Sequence, residues 1–194
     1  MFRTTISKEE INRLPVAEYS NNIVLLEEPR EIQGAVKEIR SLDVLGFDTE
    51  TRPSFRKGRK NKIALLQLAG YKNVWIFRLN QMGLPDELVD ILTNPEIKKV
   101  GVAIRDDLKG LQVYKTFQPE GFIDLAKYSD HFSIKDNGLR KLAAIILGVK
   151  ISKSQQISNW EQEVLTEKQI HYAAIDAWAC FEIYQQLNQI ERES

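Results

Sequence analysis

The stretch VLGFDTE, residues 44–50, decides the fold because it joins an apolar strand to two acidic residues at the strand's end. Residues 44–47 are a compact apolar run of strand length. Asp48 and Glu50 follow two positions apart, and side chains at that spacing share one face of an extended chain. Open α/β sheets place their sites beyond the carboxyl ends of their strands. The stretch therefore predicts a strand that ends at a carboxylate-rich site.

Strand and helix patterns alternate on both sides of this stretch. Further strands are predicted at 22–26, 63–68, 74–77 and 99–104, and the turn signal at 70–73 makes 63–77 a hairpin. Helical spacing predicts helices at 32–39, 86–92 and 139–147, and another that begins near Asp106. Thr166 and Gln169 form a capping box at the start of a long helix that runs to about Leu187. Together these elements predict an α/β fold, a mixed β-sheet flanked by α-helices.

Composition limits the class of protein. The 194 residues carry 27 Lys and Arg against 27 Asp and Glu, and 43% are hydrophobic, which excludes wholesale disorder. We expect a single domain spanning 1–194, with its motif-bearing core at about 22–187. No apolar run approaches the roughly 20 residues that cross a bilayer, and the first ten residues do not resemble a signal peptide. These features predict an intracellular, cytoplasmic protein, or a nuclear one if the source is eukaryotic.

Two further carboxylates join Asp48 and Glu50 as candidates. Asp107 follows the predicted strand at 99–104, and Asp176 lies four residues after Tyr172, on the same helical face. Four carboxylates in one pocket would repel one another, because like charges disfavour ionisation. Two divalent cations would balance the charge, and oxygen ligands favour Mg²⁺ or Mn²⁺. The pattern predicts a two-metal site for phosphodiester hydrolysis, although each acid alone could equally cap a helix or lie on the surface.

The segments GFDTE, KVGVAIRDDLKGL and HYAAIDAWACFEIY resemble the three exonuclease motifs of the DEDD superfamily. The resemblance is to the branch that has a tyrosine before the last aspartate, which includes ribonuclease D and the exonuclease domain of the Werner-syndrome helicase. It covers most of the chain, with the motifs in the family's order. It implies a ribonuclease H-like fold and the release of nucleoside 5′-monophosphates from the 3′ end of a nucleic acid.

The resemblance also implies a role for each motif residue. Asp48, Glu50 and Asp176 would hold a first metal ion, while Asp48 would bridge to a second one whose water shell Asp107 engages. Asp106 competes with Asp107 for that role, and the distance from the strand's opening lysine favours Asp107. Tyr172 would orient the attacking water, because a free phenol with a pKa of about 10 is a poor base at neutral pH.

Candidate nucleic-acid contacts lie on either side of these motifs. Lysines and arginines bind phosphate backbones, and aromatic side chains stack on bases. The candidates after the first motif are Thr49, Arg52, Phe55, Arg56, Lys57, Arg59 and Lys60. Those before the last helix are Lys153, Gln156 and Asn159, beside Trp160, which we expect to pack under the site. The alternative for the basic cluster is a solvated loop.

Three functions remain open from the sequence. A metal-dependent 3′-5′ exonuclease is favoured because every motif position is filled. A catalytically inactive member of the fold that binds nucleic acid or protein, and a nuclease for very short oligonucleotides, are the alternatives. The printed chain has no counterpart of the helical domain that follows the nuclease in ribonuclease D, which favours DNA somewhat over RNA.

Overall fold

The computed structural model describes residues 2–54, 58 and 61–193. Its described residues form one six-stranded sheet. The strands are β1 (Asn22–Leu26), β2 (Val44–Thr51), β3 (Ile63–Ala69), β4 (Asn73–Arg78), β5 (Lys98–Gly101) and β6 (Phe122–Asp124).

The sheet is mixed, with strand order β1-β4-β3-β2-β5-β6. Strands β2, β3 and β4 form an antiparallel meander, whereas β1 pairs with β4, β5 with β2 and β6 with β5 in parallel. Only β3 therefore runs against its neighbours. The predicted hairpin at 63–77 is confirmed, and β2 lies near the centre of the sheet with a partner on each side.

Helices cover both faces of the sheet. In chain order they are α1 (Lys8–Arg13), α2 (Ile32–Ile39), α3 (Leu79–Met82), α4 (Asp86–Thr93), α5 (Arg105–Gln112), α6 (Leu125–Tyr128), α7 (Leu139–Leu142) and α8 (Glu167–Glu193). Short 3-10 turns occupy Pro29–Glu31 and Ser129–Phe132, and a wider π-turn, Ala143–Leu147, continues α7. None of the helices among the described residues is long and apolar enough to cross a bilayer.

Two apolar cores lie on opposite faces of the sheet. One face packs against α8 and the segment that begins with α7, and the other packs against α2, α4 and α5. The amphipathic pattern of 32–39 explains this placement for α2, because Ile32, Ala35, Val36 and Ile39 are all buried. The α8 face also carries the acidic residues of β2, and this helix therefore forms one wall of the candidate site.

Several element boundaries differ from those predicted. Strand β2 extends through Thr51, so that Asp48 and Glu50 lie within the strand rather than beyond it. Strand β5 ends at Gly101, three residues earlier than predicted, because the chain turns at Ala103 with a positive φ of 56°. The predicted helix at 139–147 is confirmed as helical but widens at its second turn, and it ends at Gly148 in the left-handed conformation.

Candidate active site

Three carboxylates from two elements meet on one face of the sheet. Asp48 and Glu50 project from β2, and Asp176 projects from α8. One carboxylate oxygen from each lies within 4.8 Å of the other two. This is the arrangement that the two-residue spacing predicted, since both β2 side chains point towards the helix that carries Asp176.

The N-terminal half of α8 contains the small side chains that allow this approach. Ala173, Ala174 and Ala177 surround Asp176 in the sequence, and all three are buried against the sheet. The helix begins with the predicted capping box: the backbone N–H of Gln169 donates to Thr166 Oγ1 at 3.3 Å, and that of Thr166 donates to Gln169 Oε1 at 3.0 Å. The cap fixes where the helix starts and hence which residues face β2.

The acidic cluster is electrostatically strained in the absence of cations. Burial raises the pKa of Asp48 well above its usual range, and the charges of Asp176, Glu50 and Asp107 raise it further. Burial, with Asp176 and Asp107, raises the pKa of Glu50 to about 9. Burial raises the pKa of Asp176 to about 7, although the Tyr172 hydroxyl and the charge of Arg140 oppose that rise. Such mutual repulsion is what a bound cation would relieve.

Asp107 lies outside the group of three but remains close enough to affect it. The Thr49 hydroxyl donates a hydrogen bond to Asp107 Oδ1, and this bond opposes the rise in the Asp107 pKa that burial causes. Neighbouring Asp106 instead points away, with its side chain 85% exposed and 3.8 Å from Lys109. Of the two adjacent aspartates in this motif, Asp107 is therefore the one beside the cluster. Thr49, a predicted nucleic-acid contact, is the residue that orients it.

Tyr172 lies one helical turn before Asp176, with its ring centroid 6.0 Å from that of Trp160. Trp160 is fully buried, as expected. Burial and the charges of Asp176, Glu50 and Asp48 raise the pKa of Tyr172 above 10, so the phenol stays protonated at neutral pH. It can orient a water molecule but is unsuited to act as a base. The adjacent His171 is exposed, since successive helix residues point about 100° apart.

A cavity of about 400 Å³ opens beside the cluster. Asp48, Asp176 and Tyr172 line one side, and Arg140 and Gln156 line another. One Arg140 N–H donates to the carbonyl of Ile151 at 2.6 Å, which anchors a cation within the cavity wall. The lining of the cavity thus combines carboxylates with a guanidinium, and a guanidinium is a strong hydrogen-bond donor to phosphate.

A second groove, of about 680 Å³, lies on the Asp107 side of the site. Its lining includes Arg52, Lys62 and Lys109, which supply positive charge. Arg52 also pairs with Glu161 at 3.2 Å and so links the end of β2 to the segment before α8. Two recesses therefore adjoin the acidic residues of the site, and the lining of each includes cationic side chains.

The other predicted contacts are placed less centrally. Of the three candidates before α8, only Gln156 lines the cavity; Lys153 is exposed, and Asn159 Oδ1 accepts a hydrogen bond from the Glu161 backbone N–H. Asp124, a further carboxylate of this region, caps a turn by accepting from the Ala103 and Ala126 backbone N–H groups. The candidates Phe55, Arg56, Lys57, Arg59 and Lys60 lie outside the described residues.

Two residues at this site, Arg140 and Gln67, were not predicted from the sequence. Arg140 and Lys141 are adjacent charged residues between Leu139 and Leu142, so that a solvent-facing side chain is the ordinary interpretation. Gln67 is the single polar residue of IALLQLA in β3, and that interruption of an apolar run was the available signal. Gln67 lies directly opposite Asp48 in the antiparallel register.

Comparison with known proteins agrees with the fold and the motifs. A family model described as 3′-5′ exonuclease matches residues 23–191. The bifunctional 3′-5′ exonuclease/ATP-dependent helicase WRN of Mus musculus is 32% identical over 194 residues, covering 92% of this chain. The chain spans only 14% of that protein's length.

Solved structures share the architecture. The Nibbler EXO domain of Aedes aegypti superposes with a TM-score of 0.79 at 22% identity, covering 91% of this chain and 94% of that one. Escherichia coli RNase D, an exoribonuclease, gives a TM-score of 0.79 at 23% identity, covering 89% of this chain and 45% of its own. These likenesses confirm the predicted ribonuclease H-like α/β fold.

Proposed function

The chain belongs to the 3′-5′ exonuclease family, and from that premise we propose that it hydrolyses nucleic acid from the 3′ end, releasing nucleoside 5′-monophosphates. The observation that carries the proposal is the convergence of Asp48, Glu50 and Asp176 within 4.8 Å of one another. Asp107 and Tyr172, the other two motif residues, lie beside them. An inactive binding member would not need to keep all five side chains together. We also propose that the whole chain is one exonuclease domain.

The donor set fits hard divalent cations. All the candidate ligands are carboxylate oxygens, which favour Mg²⁺ or Mn²⁺ over softer metals. Asp176 Oδ1 is buried with no hydrogen-bond partner among the described residues, so it is available as a ligand. Asp48, Glu50 and Asp176 would hold a first cation, and Asp48 with the water-mediated help of Asp107 a second. Bound there, the two ions would lower the pKa of water and neutralise charge on the phosphate oxygens.

The chain's own residues would orient the hydrolytic step. The protonated Tyr172 hydroxyl would hold the attacking water by a hydrogen bond, in line with the scissile P–O3′ bond. Water adds to phosphorus as the P–O3′ bond breaks. One proton of the water passes through solvent to O3′, which becomes the 3′-hydroxyl of the shortened strand, and the terminal nucleotide leaves as its 5′-monophosphate with the water's oxygen and other proton. Arg140, anchored on the Ile151 carbonyl, is placed to neutralise a phosphate oxygen of the terminal nucleotide.

Substrate would extend along the cationic sides of the site. Arg52 and Gln156 border the two recesses, and the basic residues Arg56, Lys57, Arg59 and Lys60, with Phe55, follow Arg52 in the sequence. Lys153 and Asn159 remain candidate contacts from the segment before α8. We propose DNA as the preferred strand, with RNA as the alternative that the assay below tests directly.

A gel time course tests this proposal. Purified protein is incubated with 5′-labelled DNA or RNA, single-stranded or with a recessed 3′ end, in Mg²⁺, Mn²⁺ or chelator, beside an Asp48→Ala variant. We expect a ladder that shortens by one nucleotide at a time, only with metal and only in the wild type. Cleavage by Asp48→Ala would overturn the site assignment. Turnover restricted to dinucleotides would favour the short-oligonucleotide alternative instead.

A further inference from the structure

Gln67 occupies a position directly beneath the acidic cluster. In the antiparallel pairing of β2 and β3, Gln67 is the residue opposite Asp48. Directly opposed side chains project to the same face, with Cβ atoms about 4.5–5.5 Å apart. Gln67 therefore lies on the face that carries Asp48 and Glu50, one strand further from β5.

The Gln67 side chain is a buried amide whose hydrogen bonds are unaccounted for. Its solvent exposure is 0%, and neither Nε2 nor Oε1 has a hydrogen-bond partner among the described residues. A buried polar group without a partner is destabilising, because it has given up its hydrogen bonds to water. Leu or Met would fill the same space in this otherwise apolar strand without that cost. The amide thus requires a role that an apolar side chain cannot supply.

The surroundings leave few groups with which the amide can interact. The next residue on its other side, Ile76 of β4, is apolar and fully buried. Helix α8, which packs across β2 and β3, presents the buried alanines Ala173 and Ala177 and, between them in the sequence, the metal-site residue Asp176. The nearest polar group in the strand register is the carboxylate of Asp48. A donor directed at that carboxylate would fix its orientation in the way that outer partners orient metal ligands.

We infer that Gln67 is a positioning residue for Asp48, acting through one internal water that its amide holds against the Asp48 carboxylate. Nε2 donates to the water, and the water donates to a carboxylate oxygen of Asp48. The inference rests on the proposed function, because it assigns Asp48 as a metal ligand. It adds a residue that touches neither metal nor substrate.

Manganese binding tests this role independently of catalysis. The affinity for Mn²⁺ is measured by electron paramagnetic resonance on the protein without nucleic acid, for the wild type, Gln67→Leu and Gln67→Met. We expect both variants to bind Mn²⁺ roughly 10-fold more weakly, as is usual when an outer partner of a metal ligand is removed. In metal-free buffer we expect their urea midpoints to equal or exceed that of the wild type, because the buried unpaired amide is gone.

Ile76→Leu provides the matched control. It changes packing beside Gln67 on the same face without removing a polar group, and we expect its Mn²⁺ affinity to equal that of the wild type. The inference would be overturned if both Gln67 variants bound Mn²⁺ as tightly as the wild type. It would also be overturned if their loss of Mn²⁺ affinity were accompanied by a lowered urea midpoint, because the loss would then reflect a less stable fold. A wild-type protein that binds no Mn²⁺ would overturn the proposed metal site, and this inference with it. If the wild type binds Mn²⁺, unchanged binding in the Gln67 variants counts against the role of Gln67 and not against the proposed metal site.

Discussion

Gly46 of β2 lies against the backbone carbonyl of Ala177 in α8. A Cβ built on Gly46 would be 2.0 Å from that oxygen and 2.9 Å from Cβ of Phe181. Asp48 follows Gly46 by two residues on the same face, and Asp176 immediately precedes Ala177. The absence of a side chain at Gly46 therefore sets the helix-to-strand distance at which the two aspartates can share a ligand.

Gly46→Ala should consequently damage both stability and the site. The new methyl collides with backbone, which cannot move as a side chain can, and overpacking of this kind costs about 1–3 kcal/mol or more. Urea unfolding measures the loss. Gly34→Ala is the control, because Gly34 lies within α2 with nothing within 4 Å of its would-be Cβ. Alanine there should stabilise the protein by about 0.5–1 kcal/mol, and equal effects of the two changes would contradict this account.

The sequence predicted the central elements because their signals are local. The apolar runs of β2 and β3 and the spacing of Asp48 and Glu50 need no knowledge of distant residues. Strand β6 was overlooked, since its three residues are each only half-buried and carry no periodicity. The helix after Gly138 was predicted without its π-turn, because one extra residue per turn leaves no mark in a short apolar stretch.

Tertiary contacts decided the parts of the site that sequence patterns could not. Arg140 enters the cavity because the Ile151 carbonyl anchors it, and that contact joins two segments eleven residues apart. Asp107 is positioned by Thr49, which lies 58 residues earlier in the chain. Spacing can identify residues that share a strand or helix face, but it carries no information about which hydroxyl orients which carboxylate.

A buried arginine holds the segment before α8 and supplies a second stability prediction. Arg78 is fully buried; it donates to the carbonyls of Gln162 and Glu163, the latter at 2.7 Å, and to Glu27 at 2.8 Å. Arg78→Met should lower the free energy of unfolding by about 1–3 kcal/mol, because two carbonyls lose their donor. Arg40→Met, which breaks an exposed pair with Asp90, should cost no more than about 1 kcal/mol. Urea titrations of both variants compare the two losses, which should not be equal.

Lys99 should make stability depend on pH above neutrality. Burial lowers the pKa of its ammonium to about 8, although the group donates to the Asn94 carbonyl at 2.6 Å. The unfolded chain, with a lysine pKa near 10.4, binds more protons than the folded chain between these values. The contribution of Lys99 to stability therefore rises as pH increases from about 8 to 10.4. Lys99→Met should remove that rise. Between pH 7.5 and pH 10, the urea midpoint of the wild type should therefore increase relative to that of Lys99→Met. An equal change in the two midpoints would contradict a lowered pKa for Lys99.

The adjacent aspartates of the second motif should separate in activity assays. Asp107→Asn removes charge beside the metal cluster and should lower the cleavage rate by about 100-fold or more, since bound cations contribute several kcal/mol to such reactions. Asp106→Asn changes only an exposed side chain near Lys109, and its rate should stay within about twofold of wild type. Initial rates on the same labelled strand compare them. A loss in Asp106→Asn alone would reverse the assignment.

Tyr172→Phe distinguishes orientation of water from metal binding. The ring remains and can still pack against Trp160, whereas the hydroxyl that would hold the attacking water is lost. A hydrogen bond to a charged or polarised partner is worth about 1.5–3 kcal/mol, so kcat should fall by about 10- to 100-fold. At a Mn²⁺ concentration that saturates both proteins, KM should be unchanged, because the phenol is not expected to bind the strand. A raised KM with normal kcat would instead indicate that Tyr172 binds the strand. A weakened Mn²⁺ affinity would indicate that Tyr172 supports Asp176, its neighbour one helical turn away.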